Sequence, residues 1–190
     1  GEQTCLGDLW VFDTDSFTWV KPRVGGLAPE PRYGHTLNLL PDGRLLVFGG
    51  MGLVEDGGFL PVYHSDLRQL DTETMQWSKP RRTGVSVSGR MGHSATLAGI
   101  GSTVVVFGGW GLGGVQDRTQ NTRDGAHSLV NMEINDNNIS FTVPEGLRSP
   151  ALEHKYGHTC TPVGDSMLLL FGGWNGQQAC NEVIVLELET

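Results

Sequence analysis

"PRYGHTLNLLPDGRLLVFGG", residues 31–50, returns twice in altered form: "GRMGHSATLAGIGSTVVVFGG" at 89–109 and "HKYGHTCTPVGDSMLLLFGG" at 154–173. Aligned on the histidine, the copies share a Gly-His pair at Gly34–His35, Gly92–His93 and Gly157–His158. A cation stands three residues before each histidine, at Arg32, Arg90 and Lys155, and a hydroxyl residue follows it, at Thr36, Ser94 and Thr159. A Gly pair comes 14, 15 and 14 residues after the histidine, at Gly49, Gly108 and Gly172 with their successors. It is preceded by "LLVF", "VVVF" and "LLLF". Short apolar runs bounded by turn residues read as strands buried on both faces. The turns "PDG", "GIGS" and "VGDS" supply Gly and Asp, which accept the backbone angles of tight hairpins.

A second motif follows the first. "DLWVFDTDSFTWVKP" at 8–22 matches "DLRQLDTETMQWSKP" at 66–80, a strand, an Asp-Thr turn and a strand ending on Trp19 or Trp77. The third copy, 128–144, puts Phe141 in the Trp place, and the fourth, 182–190, stops before its last strand. One unit is therefore four antiparallel strands, repeating at 58 and 65 residues between histidines. A period of this kind is the mark of a β-propeller blade. The expected layout is a half blade at 5–22, blades at 27–81 and 85–144, and an incomplete blade at 154–190.

The bulk properties narrow the function. The 190 residues carry a net charge of −8, which argues against nucleic acid and anionic membrane surfaces as partners. No apolar run is long enough to cross a bilayer as a helix. Three cysteines, Cys5, Cys160 and Cys180, are too few for a disulfide scaffold. They read as free thiols in a reducing, cytoplasmic setting, with a Cys160–Cys180 bridge as the other reading. No nucleophile elbow, phosphate loop or zinc-protease motif is present, so neither catalytic residue, metal nor cofactor is expected. Glu153, His154, His158 and Cys160 lie close in sequence but lack the paired spacing of a zinc site. The three repeated histidines read first as structural hydrogen-bonding groups.

Taken together, the "VFGG" and "LFGG" strand ends, the aromatic-Gly-His starts at Tyr33 and Tyr156, and the Asp-Leu, Asp-Thr and Trp segments resemble the kelch family. The resemblance covers essentially the whole chain. It implies an all-β, kelch-type propeller segment of four-stranded antiparallel blades around a central channel. Kelch propellers mostly close with more blades than this chain carries. The remaining blades are therefore expected from a longer chain or another subunit.

The resemblance also implies a non-enzymatic protein-interaction scaffold that binds a peptide or protein on one propeller face. In similar substrate receptors, a cation at the position of Arg32, Arg90 and Lys155 grips an acidic or C-terminal carboxylate. The expected ligand-binding residues are thus Arg32, Arg90, Lys155, Tyr33, Tyr156, Trp110 and Trp174. The last two each follow a Gly pair at a strand end. The competing reading of the cations is a salt bridge or backbone contact within or between blades. Other functions open to such a propeller are part of a metal-dependent or sugar-modifying enzyme, an architectural subunit of a large assembly, or the substrate receptor of a ubiquitin ligase. The long connections 51–65 and 110–128 are expected to extend one face or the other.

Overall fold

An apolar run such as "VVVF" packs on both sides only if a sheet lies against each face, and a stack of blades provides that. In the computed structural model, which describes residues 4–55, 59–99, 101–111, 127–144 and 155–188, strands account for all the regular structure and no helix is present among those residues. The half blade is a hairpin of β1 (Val11–Asp13) and β2 (Thr18–Val20). The first blade contains β4 (Thr36–Leu39), β5 (Arg44–Phe48), β8 (Leu67–Asp71) and β9 (Gln76–Ser78). A separate hairpin, β6 (Met51–Glu55) and β7 (Phe59–Tyr63), springs from the end of β5. The second blade contains β11 (Ser94–Ala98), β12 (Thr103–Phe107), β13 (Leu129–Asn135) and β14 (Asn138–Thr142). The third has β15 (Thr159–Val163), β16 (Met167–Phe171) and β17 (Val183–Glu187).

Each blade is an antiparallel meander, as the four-strand reading requires. Both complete blades also gain a fifth, parallel strand from the connection that leads into them. β3 (Gly25–Gly26) pairs with β9, and β10 (Arg81–Gly84) pairs with β14. The segment entering a blade from its predecessor thus first runs along that blade's outer edge. Two consecutive units are tied by backbone hydrogen bonds as well as by packing.

The core lies between blades. Leu46 and Phe48 of the first blade meet Val104, Val106, Val130, Met132 and Phe141 of the second. The opposite side of the second blade, Val105 and Phe107, packs on Leu168, Leu170 and Leu186 of the third. The alternation along β12 thus divides one strand between two interfaces. On the third blade, Leu168 and Leu170 are buried, while Phe171, in the register position of Phe107, is exposed. Trp77 and Trp19 show the same contrast, at 7% and 64% exposure, because the half blade lacks the two inner strands that would cover Trp19. Leu37, Leu39, Val183 and Val185 are exposed at the two open ends of the arc.

Candidate functional site

The first strands β4, β11 and β15 stand side by side, and their starts are joined by a backbone ladder. Gly92 N donates to Gly34 O at 2.9 Å and Gly157 N to Gly92 O at 2.7 Å. The histidines add a side-chain rung. His93 Nε2 lies 3.0 Å from Thr36 Oγ1, and His158 Nε2 lies 2.9 Å from Ser94 Oγ. Thr36 Oγ1 in turn donates to Phe48 O at 3.5 Å, so it accepts from His93 Nε2–H. His93 and His158 therefore each bridge to the hydroxyl of the preceding blade. Both Nδ1 atoms are buried without a hydrogen-bond partner. Burial, reinforced by the adjacent Arg90 or Lys155, lowers the pKa of His93 to about 3 and that of His158 to about 4.

The Gly pairs make this close approach possible. Gly108 and Gly109 have φ of 68° and 102°, and Gly109 N donates to Lys155 O at 2.8 Å. A Cβ on Gly108 would run into that carbonyl and the His158 ring.

One end of the arc carries a row of aromatic residues. Tyr33 bridges Met51, Met91 bridges Trp110, and Tyr156 bridges Trp174, each pair joining the start of a blade to the residue after its Gly pair. Tyr33 and Trp174 are exposed, and Trp110 stacks edge-on against Tyr156 with centroids 5.3 Å apart. Trp110 and Trp174 follow the Gly pairs of their blades in this row, and Tyr33 and Tyr156 stand at the blade starts. The β6–β7 hairpin starts at the Tyr33–Met51 bridge, so connection 51–65 rises from this end as a two-stranded ribbon rather than an irregular loop. Most of connection 110–128, residues 112–126, lies outside the described residues.

The three cations expected to bind a ligand are buried and bonded within the chain. Arg32, Arg90 and Lys155 are only 5%, 4% and 4% exposed. Arg32 donates to Glu30 O and Gly49 O and holds Asp66 with both Nη atoms, at 2.6 and 3.2 Å. Arg90 donates to Ser88 O and Gly108 O. Lys155 Nζ donates to Glu182 at 2.5 Å. A long side chain that starts at the rim is drawn inward because the turn carbonyls and the acid before the third strand satisfy its donors. Asp66 and Glu182 were not among the expected site residues. Their signal is an acid one residue ahead of the third strands β8 and β17.

No group of three or more metal-ligating side chains occurs among the described residues, and Glu153 and His154 lie outside them. All three cysteines are free, which removes the Cys160–Cys180 bridge. None of the described helices could cross a membrane, since there are none.

The KLHDC2/KLHL20/DRC7 Kelch-repeats domain matches residues 1–124 and, in a second placement, 56–190. The chain belongs to the kelch-repeat family. This kelch chain is 29% identical to Acyl-CoA-binding domain-containing protein 4 of Arabidopsis thaliana over 98% of its own length and 25% of that protein. It is 27% identical to Host cell factor of Drosophila melanogaster over 96% of its length and 13% of that protein. Kelch domain-containing protein 3 of Bos taurus is 36% identical over 53% of the chain and 24% of its own length. The chain thus spans a quarter or less of these relatives. The solved structure of YjhT shares the fold, with a TM-score of 0.63 at 18% identity, over 90% of this chain and 53% of that one.

Proposed function

We propose that this kelch segment is a non-enzymatic protein-interaction module that holds a peptide or protein partner against the rim carrying Tyr33, Trp110, Tyr156 and Trp174. The observation that carries the reading is the repeated bridge placing an aromatic at the same end of each blade, two of them exposed. Large rigid aromatics contribute much contact area for little conformational entropy, and they dominate binding at protein interfaces. The β6–β7 ribbon adds Val54, Leu60 and Val62, all exposed, beside the same rim. Arg32 and Lys155 serve this surface by holding the turns beneath it. The exposed apolar ends of the arc, Leu37 and Leu39 at one and Phe171, Val183 and Val185 at the other, are the faces for the remaining blades, from a longer chain or another subunit.

The test is selection of binding peptides on the wild-type protein, followed by affinity measurement on variants. Tyr33→Ala and Trp174→Ala are expected to weaken the selected peptides at least about tenfold. Asp165→Ala, in the exposed β15–β16 turn at the opposite end, is expected to leave them unchanged. Peptides that lose affinity to Asp165→Ala and not to the rim variants would move the binding face to the other end.

A further inference from the structure

The acid ahead of a third strand takes two donors in the half blade and in blade one. Asp66 accepts from Arg32 through both oxygens, at 2.6 and 3.2 Å, and its Oδ2 lies 2.9 Å from Arg68 Nη1. Asp8 is the equivalent acid of the half blade, because Arg32 N donates to Leu6 O as Arg90 N donates to His64 O, each acceptor two residues before its acid. Asp8 Oδ2 accepts from Trp10 Nε1–H at 2.8 Å and from Lys21 Nζ at 3.4 Å. Lys21 Nζ also stands 5.3 Å from the centroid of the Trp10 ring. A carboxylate, an indole and a cation thus already form one unit on the surface of this chain.

Blade three has the carboxylate and the aromatics of such a unit without the outer cation. Glu182 accepts from Lys155 Nζ through Oε1, and among the described residues no donor reaches its Oε2. Two residues after the acid, where blade one has Arg68, stands Ile184. The pair with Lys155 turns its acid outward, since the lysine side chain is 5% exposed and that of Glu182 53%. Tyr156 follows Lys155 and bridges Trp174, while Gly172 N donates to Glu182 O two residues before Trp174. The outward carboxylate and both aromatics therefore stand at the same end of the blade, with Trp174 40% exposed. At the Met91–Trp110 pair the adjoining charge is Arg90, which no carboxylate pairs among the described residues, so a cation is better received at Trp174.

We infer that Trp174, Tyr156 and Glu182 form a site for a basic side chain, lysine or arginine, of a protein partner. The partner's cation lies over the Trp174 ring and donates to Glu182 Oε2, as Lys21 lies by Trp10 and donates to Asp8. The aromatic face attracts it through the ring quadrupole, and the exposed carboxylate adds a charged hydrogen bond. The net charge of −8 draws basic partners toward the chain as a whole. The inference rests on the reading of the aromatic rim as the partner-contact face and gives the partner the charge opposite to the acid that the family resemblance implies.

The test follows the Trp174 indole N–H by proton–nitrogen NMR, its signal assigned by its loss in Trp174→Ala. The probes are Nα-acetyl-lysine amide and Nα-acetyl-arginine amide, against the neutral Nα-acetyl-glutamine amide at equal ionic strength. Both cationic amides are expected to move the signal saturably and further than the neutral one, and added sodium chloride to weaken them. Glu182→Gln, whose amide oxygen still accepts from Lys155, is expected to bind them about threefold or more weakly. The inference is overturned if the neutral amide acts as strongly, if salt has no effect, or if Glu182→Gln binds as the wild type does. Should Glu182→Gln fail to fold, the comparison of charged and neutral amides across salt on the wild type decides. Selected peptides weakened by Tyr33→Ala and Trp174→Ala, with no preference of the chain for the cationic amides, would refute the basic site alone. Selected peptides indifferent to both rim variants, with cationic amides bound through Glu182, would refute the rim and leave this site standing.

Discussion

Mild acid is expected to loosen the blade interfaces through His93 and His158. Each is neutral in the folded chain, with a pKa near 3 or 4, because protonation would place a charged N–H at a buried Nδ1 that has no acceptor. In the unfolded chain the same imidazoles take up protons near pH 6.5. A folded pKa below the unfolded one means that stability is fully present above about pH 6.5 and is lost as pH falls toward the folded value. Between pH 7 and pH 5, each histidine removes about 2 kcal/mol, and the pair about 4 kcal/mol as an upper figure. That is a large part of the total stability of an ordinary domain. Urea unfolding at pH 7, 6 and 5 checks it, with His93→Gln and His158→Gln measured singly and together. Gln keeps an amide donor for the Thr36 or Ser94 hydroxyl but does not titrate. The variants are expected to be less stable at pH 7 and to show a flatter pH dependence, the double variant flattest. A double variant whose stability falls as steeply as the wild type would refute the reasoning and place the acid sensitivity elsewhere.

Trp77→Ala is expected to cost about 3–5 kcal/mol, as a buried aromatic truncation does, while Trp19→Ala at the matching position costs under about 1 kcal/mol because Trp19 is exposed. Equal costs by chemical denaturation would mean that the half blade is covered as the complete ones are. Gly108→Ala is expected to destabilise by about 3 kcal/mol or more, combining a left-handed backbone with a clash on Lys155 O and the His158 ring. Thermal unfolding reads that loss, and a variant as stable as the wild type would mean that blades two and three part more easily than their hydrogen bonds indicate.

Much of the fold was legible in residues 31–50 and their two echoes, because local and interfacial requirements coincide there. A strand wedged between two sheets must be apolar on both faces, so "LLVF" and "VVVF" announce a stacked sheet without knowledge of its neighbours. A chain that must bring a backbone carbonyl against a strand end must use Gly, so the pairs at Gly49, Gly108 and Gly172 mark the blade junctions. The repeat also put Trp110 and Trp174 after their Gly pairs at strand ends, where they bridge Met91 and Tyr156.

Sequence spacing alone did not reach the direction or partners of the long polar side chains. Arg32 and Lys155 stand at the rim in the chain but turn inward, because Asp66 and Glu182, 34 and 27 residues away, wait at the far side of the same blade. The parallel fifth strands β3 and β10 were likewise invisible, since "GG" and "RRTG" carry no strand pattern and pair only because an outer edge lies beside them. The β6–β7 ribbon likewise shows no strand pattern in the sequence, the alternation of 51–65 being interrupted by Pro61 and the glycines at 57–58. The sequence by itself determined the blades, their order and their apolar faces, because these follow from periodicity and from residues that must recur. Only the tertiary structure decided which charges meet, because an ion pair is made across a sheet by residues whose separation along the chain is set by loop length.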